Sequence, residues 1–197
     1  VDQRPYLDLL KEAGGTPGVK HLFVSTGIRM DLALLFEPLI RALAFEHTSG
    51  SLKVAPEHVL PNVLNLMRKP VGGHFERFLD KHRQLSKQAG REQFVLPYFI
   101  AAHPGCTVED MIEVMQLLKR HHIVVEQCQI FTPTPGTAST VMYATGLDPA
   151  TLQPVYVEKK EHRKHVQKAL ILYHLPESRR YIAEALGEGD ARPRARP

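Results

Sequence analysis

Four short apolar runs mark the chain: "HLFVSTG" at 21, "SLKVA" at 51, "FVLPYFIAA" at 94 and "VEQCQIF" at 125. A turn and then a helix-like pattern follow each one. Strands rich in Val, Ile and Phe alternating with helices predict βα units around a parallel sheet. The helices are legible from their spacing. Behind Thr107, a good N-cap, Val108, Met111, Ile112, Met115 and Leu118 recur at helical intervals, with Glu109 and Asp110 in the favourable first turn. Met111 and Met115 are therefore expected in the core. Phe75, Phe78, Leu79, His82 and Leu85 mark a second helix that Gly90 ends, and Pro38 opens a third running to about Glu46.

Beyond Gly146 the character changes. "LDPATLQP" is turn-rich, a basic helix is predicted from Glu158 to His174, and Pro176 begins another with Tyr181, Ile182, Ala185 and Leu186 on one face. The last ten residues, "EGDARPRARP", read as a flexible tail. The expected fold is thus α/β, a partial (βα) barrel over residues 1–146. A helical C-terminal extension over 147–187 and a tail over 188–197 would follow it.

"IFTPTPGTAST", residues 130 to 140, places two prolines, a glycine and five hydroxyl residues behind the last strand. Such residues dictate a backbone path, so the stretch reads as a shaped loop. In a βα array the segments after the strands emerge at one mouth, where such enzymes place their chemistry. Here they are "STGIR" (25 to 29), "PEH" (56 to 58), "HPGC" (103 to 106) and "TPTPGT" (132 to 137). They carry Ser25, Arg29, Glu57, His58, His103, Cys106, Thr132 and Thr134. Plainer roles exist for several of these: Glu57 and His58 as caps of a helix over Asn62 to Met67, His103 as a hydrogen-bonded core-edge ring, and both cysteines as packed thiols.

Composition narrows the classes. With 197 residues, 43% of them hydrophobic, the chain can bury a substantial core. No apolar run approaches the roughly 18 residues of a membrane span, so the reading is a soluble, cytoplasmic protein. Two cysteines, Cys106 and Cys128, build neither a disulfide scaffold nor a four-cysteine metal site. The net charge of +4 is localised: residues 158–197 hold ten Lys and Arg against six Asp and Glu, and the first 157 residues hold fifteen of each. Any nucleic-acid contact must therefore use the C-terminal segment, either as an RNA-binding face around Lys159, Lys160 and Arg163 or as an ordinary solvated helix.

The loop motifs carry a resemblance. "SGSLKVAPEHVLPNVLNLMRKP", "FVLPYFIAAHPGCTVEDMIEVMQLLK" and "QIFTPTPGTASTVMYATGLDP" together resemble the YgiQ family of radical S-adenosylmethionine proteins, and "VYVEKKEHRKHVQKALILYHLPES" is similar to that family's C-terminal extension. More distantly, "VLNLMRK", "HPGCTVEDM" and "PTPGTAS" resemble segments of methylthiotransferase-type radical enzymes, with His103 where those carry Phe. The resemblance implies the later strands of a (βα)6 barrel, a 4Fe-4S cluster on a CxxxCxxC loop and S-adenosylmethionine as the cleaved cofactor. No CxxxCxxC motif occurs in these residues. The chain opens at Val1, so the cluster loop is expected upstream of it, and the chain by itself is expected to be inactive. By position, Ser25, Arg29, Glu57, His58, His103 and Thr134 are the candidates to contact S-adenosylmethionine, Arg29 through its carboxylate and Glu57 through ribose or amino group.

Two alternatives stay open. One is a metal-dependent barrel enzyme with Glu57, His58, His103 and Cys106 as ligands; the other is an RNA- or partner-binding module built on the basic helix. If earlier strands lie outside the chain, the strand near His21 also exposes an edge through which two copies could pair.

Overall fold

A computed structural model describes residues 2–187, so the tail expected over 188–197 lies outside the described residues. Helices α1 (Arg4–Gly14), α2 (Met30–Ala33) and α3 (Glu37–Ala42) come first, and α3 runs into a π-helical turn over Leu43–His47. Strand β1 (Ser51–Glu57), helices α4 (Pro61–Leu66) and α5 (His74–Gln88), and strand β2 (Phe94–Ala101) follow. Then come α6 (Val108–Arg120), β3 (Gln127–Ile130), α7 (Ala138–Thr145), α8 (Glu161–Ile171), a 3-10 turn over Pro176–Ser178 and α9 (Arg179–Ala185). The three strands form one small parallel sheet in the order β1-β2-β3. This is the mixed α/β architecture expected, compatible with a partial βα fold; among the described residues the strands close no barrel.

The chain divides into two compact units, Val1–Glu57 with Pro70–Tyr98 and His58–Lys69 with Phe99–Pro197. In the first, Leu39, Ile40 and Leu43, Leu52 and Val54 of β1, and Phe78 and Leu85 of α5 are buried. Alternation along β1 buries Leu52, Val54 and Pro56 and leaves Ser51 and Lys53 exposed, as one covered sheet face requires. Helix α5 ends through Ala89, with Gly90 behind it in the left-handed region at φ 64, the position where a Cβ is least tolerated. In the second unit the core holds Val63, Phe99, Met111, Met115, Leu118, Met142, Leu170 and Ile171. Both methionines of the periodic stretch are inside, as their spacing predicts.

The start of α6 is specified locally. The Thr107 hydroxyl accepts from the Asp110 N–H at 3.1 Å, and the Asp110 carboxylate accepts from the Thr107 N–H at 2.8 Å. This reciprocal capping box satisfies two donors that the helix cannot. Thr107→Ala is expected to cost about 0.5–2 kcal/mol in urea unfolding.

Three expectations shift. The run at His21 forms no strand: Val24 N–H bonds the His47 carbonyl at 2.9 Å, and pairing with β1 is limited to the isolated parallel bridge of Ile28 with Val54. The proline loop is shorter than expected because α7 begins at Ala138, capped by Thr137, and closes on Gly146 at φ 72. The basic helix starts at Glu161 rather than Glu158, whose side chain turns back to accept from the Lys160 N–H at 2.9 Å. Among the described residues, no helix is long and apolar enough to cross a membrane.

Candidate functional site

Two strands end in the same way. Glu57 closes β1 at φ 61, and Ala102 follows β2 at φ 57, both in the left-handed region that residues with a Cβ seldom adopt. A buried histidine comes next in each case, His58 at 1% and His103 at 2% exposure. Left-handed residues without glycine concentrate where a structure over-determines a loop, which directs attention to these two turns.

In the first unit, Ser25 and Arg29 are exposed. The Arg29 guanidinium already grips Asp31, Nε to Oδ1 at 2.8 Å and Nη2 to Oδ2 at 2.6 Å. That hydrogen-bonded pair raises the Arg29 pKa and lowers that of Asp31. Glu57 adds a further negative field at Arg29. A ligand carboxylate at Arg29 would compete with Asp31.

In the second unit, residues that follow all three strands are hydrogen-bonded to one another. His58 Nδ1 accepts from the Leu60 N–H at 3.1 Å, so in the neutral ring the proton sits on Nε2, which lies 3.5 Å from Cys106 Sγ. Burial drives the His58 pKa down to about 4 and outweighs the opposing charge of Asp110. The Cys106 thiol is pushed far up, first by burial and then by Asp110, and burial pushes Cys128 up to about 12. Both are protonated packed thiols at neutral pH, not thiolate nucleophiles.

His103 is held at both ring nitrogens. Nδ1 lies 2.8 Å from the Pro104 carbonyl, which can only accept, so Nδ1 carries the proton of the neutral ring and Nε2 accepts from the Ser139 hydroxyl at 2.8 Å. Phe131 packs edge-on against the ring at 5.2 Å. The loop after β3 is closed by its own hydroxyls. Thr134 N–H donates to Thr140 Oγ1 at 2.8 Å, Thr140 Oγ1 donates back to the Thr134 carbonyl at 2.7 Å, and the Thr132 hydroxyl reaches the Ile130 carbonyl at 3.3 Å.

The sequence reading missed Ser139 and Gln167. Ser139 was hidden in a hydroxyl-rich stretch. Gln167 lies on α8 among buried Val166, Leu170 and Ile171, and its place on that apolar stripe is the one sequence signal it has. It is fully buried; Oε1 accepts from the Ala102 N–H at 2.8 Å and lies 3.3 Å from Cys106 Sγ, and Nε2 donates to the Cys106 carbonyl at 3.1 Å. Gly105, within the same loop, donates its N–H to the Tyr156 carbonyl at 2.7 Å. An open pocket of about 380 Å³ adjoins it, bordered by Asn62, Asn65, Arg68, Asp148 and Tyr156.

The basic helix is largely occupied with its own unit. Arg163 pairs with buried Glu158 at 2.9 Å, Lys164 reaches Glu161 and the Tyr143 hydroxyl at 2.6 and 3.1 Å, and Lys159 sits over the Tyr143 ring 3.5 Å from its centroid. Among the described residues, no group of three His, Cys, Asp or Glu side chains could hold a metal ion.

Comparison with known proteins adds the lineage. Residues 126–191 match the family model of a domain of unknown function, DUF3362. A UPF0313 protein of Geobacter sulfurreducens is 48% identical over 178 residues, 90% of this chain and 29% of the relative. UPF0313 proteins of Methanocella arvoryzae and Methanosarcina acetivorans are 43% and 45% identical, each over 94% of this chain and over 31% and 25% of their own length. The chain therefore spans a quarter to a third of these relatives. Its homologues are UPF0313 proteins, the family that includes YgiQ.

Proposed function

We propose that the chain forms the later-strand part of a radical S-adenosylmethionine iron–sulfur enzyme, with the cluster held by polypeptide outside these residues. The observation that carries the reading is the wiring of the post-strand segments: His58 beyond β1 meets Cys106 beyond β2, and His103 beyond β2 meets Ser139 beyond β3. Such segments are where βα enzymes assemble their chemistry. The ordered motifs that resemble this class occupy the same segments.

These residues do not fit the cluster itself. A 4Fe-4S centre of this kind needs three thiolates, and the chain offers two buried, protonated thiols. In this reading its role is on the side of S-adenosylmethionine and substrate. Ser25, Arg29 and Glu57 are the candidate contacts on the first unit taken by itself, and His58, His103 and Thr134 those on the second, where the His103–Ser139 pair holds a proton at Ser139 Oγ.

The test is anaerobic reconstitution of the full-length Geobacter sulfurreducens relative with iron and sulfide, followed by reductant and S-adenosylmethionine. Cluster absorption and release of methionine with 5′-deoxyadenosine are expected from the relative, and neither from the 197-residue chain. A full-length relative that binds no cluster would end the proposal.

A further inference from the structure

We propose that Gln167 is a positioning residue: its carboxamide, carried on α8, sets the conformation of the Ala102–Cys106 loop and thereby the His103–Ser139 pair. The proposal rests on the reading above only in treating this loop as part of a site.

The loop is held at both ends by one planar group. Oε1 takes the Ala102 N–H at 2.8 Å, and Nε2 gives to the Cys106 carbonyl at 3.1 Å. Between those ends lie His103, Pro104 and Gly105, and an internal bond from the Cys106 N–H to the His103 carbonyl at 2.9 Å closes the turn. Ala102 sits at φ 57, a conformation that an alanine keeps only under constraint. The Ala102 N–H that Gln167 accepts is the backbone group of that constrained residue.

Packing alone does not call for glutamine here. Val166, Ala169, Leu170 and Ile171 of the same helix are buried as it is, and an apolar side chain of equal length could be buried there as well. What the carboxamide adds is a donor and an acceptor in one plane, both used. A buried amide that lost either partner would leave an orphaned group on the loop. Gln167 also lies within the stretch matching the domain of unknown function. One job of that stretch is then to clamp the loop after β2, with no catalytic group of its own required.

Two variants of the 197-residue chain test this by NMR. In Gln167→Met, hydrogen exchange at the Ala102 amide is expected to quicken at least tenfold relative to the Leu118 amide in α6. The His103 ring nitrogens should pass from a single Nδ1–H tautomer to a mixture. Gln167→Glu supplies the discriminating readout. A protonated carboxyl copies the carboxamide, its carbonyl accepting from Ala102 and its hydroxyl donating to the Cys106 carbonyl, and burial favours that neutral form. At pH 6 this variant should keep the wild-type carbonyl shift of Cys106 and the wild-type His103 tautomer; as the pH rises and the carboxyl ionises, the donor to the Cys106 carbonyl is lost and both should change, while the wild type stays flat. Unchanged Ala102 protection and an unchanged His103 spectrum in Gln167→Met would overturn the proposal. So would a pH-independent Gln167→Glu, or equal losses at Ala102 and Leu118. If Gln167→Met does not fold, the pH series of Gln167→Glu decides alone. A failed reconstitution of the relative leaves this test intact, because it is read on the chain itself.

Discussion

Lowering the pH from 7 to about 4 is expected to remove about 6 kcal/mol of folding stability, through one buried histidine in each unit. His58 and His82 are both 1% exposed, and burial lowers each to about 4 from the ordinary 6.5. His82 stacks on Phe78 with its ring centroid 6.0 Å away, and its Nε2 is buried without a hydrogen-bond partner among the described residues. His58 Nδ1 is an acceptor from Leu60, a bond that protonation would break. Below 6.5 the unfolded chain takes up these protons and the folded chain does not, so stability is full above about pH 6.5 and falls until the folded rings protonate near pH 4. Each histidine contributes about 3 kcal/mol over that window. The sum is comparable with the whole stability of many domains. Urea midpoints between pH 7.5 and 4 measure it, and His82→Leu should remove about half of the slope. A flat profile across this range would mean that neither ring is held neutral.

Gly105→Ala is expected to cost about 2–5 kcal/mol. Gly105 stands at φ 88, where an alanine is disfavoured by about 1–2 kcal/mol. A Cβ there would come within 2.1 Å of Leu66 Cδ1, and forcing that side chain aside adds about 1–3 kcal/mol. Backbone relief is restricted because the Gly105 N–H is bonded to Tyr156 and its neighbour Cys106 to His103. Half-buried Leu66 can yield, so Leu66→Ala should recover the steric part and leave the φ penalty. A double-mutant cycle read by urea unfolding separates the two. A loss below about 0.5 kcal/mol, within the range of ordinary surface changes, would mean that the loop relaxes freely.

Much of the local structure was legible because its causes lie within a turn or two of sequence. Thr107 and Asp110 cap α6 three residues apart, Gly90 ends α5, and period-2 burial along β1 follows its alternation. The packing of Cys106 and Cys128 also followed from residue type. Helix α7 was missed because its hydroxyl-rich start competes with helix in isolation, and only the Thr134, Thr137 and Thr140 bonds make those hydroxyls a cap. The segment at His21 reads as a strand by composition, yet a strand is defined by partners, and a single bridge links this stretch to β1.

The sequence by itself determined the βα order from Ser51 to Ile130, the ends of α5 and α6 set by glycine and cap, many apolar core positions and the shortage of thiols for a cluster. Tertiary structure alone decided which polar groups are committed. His58 is taken by Cys106, His103 by Ser139, and Gln167 by a loop more than sixty residues away in sequence. The physical reason is range. Propensity, capping and periodicity act between near neighbours, whereas a buried hydrogen bond is chosen by whichever groups folding leaves without water, and no local pattern records that choice.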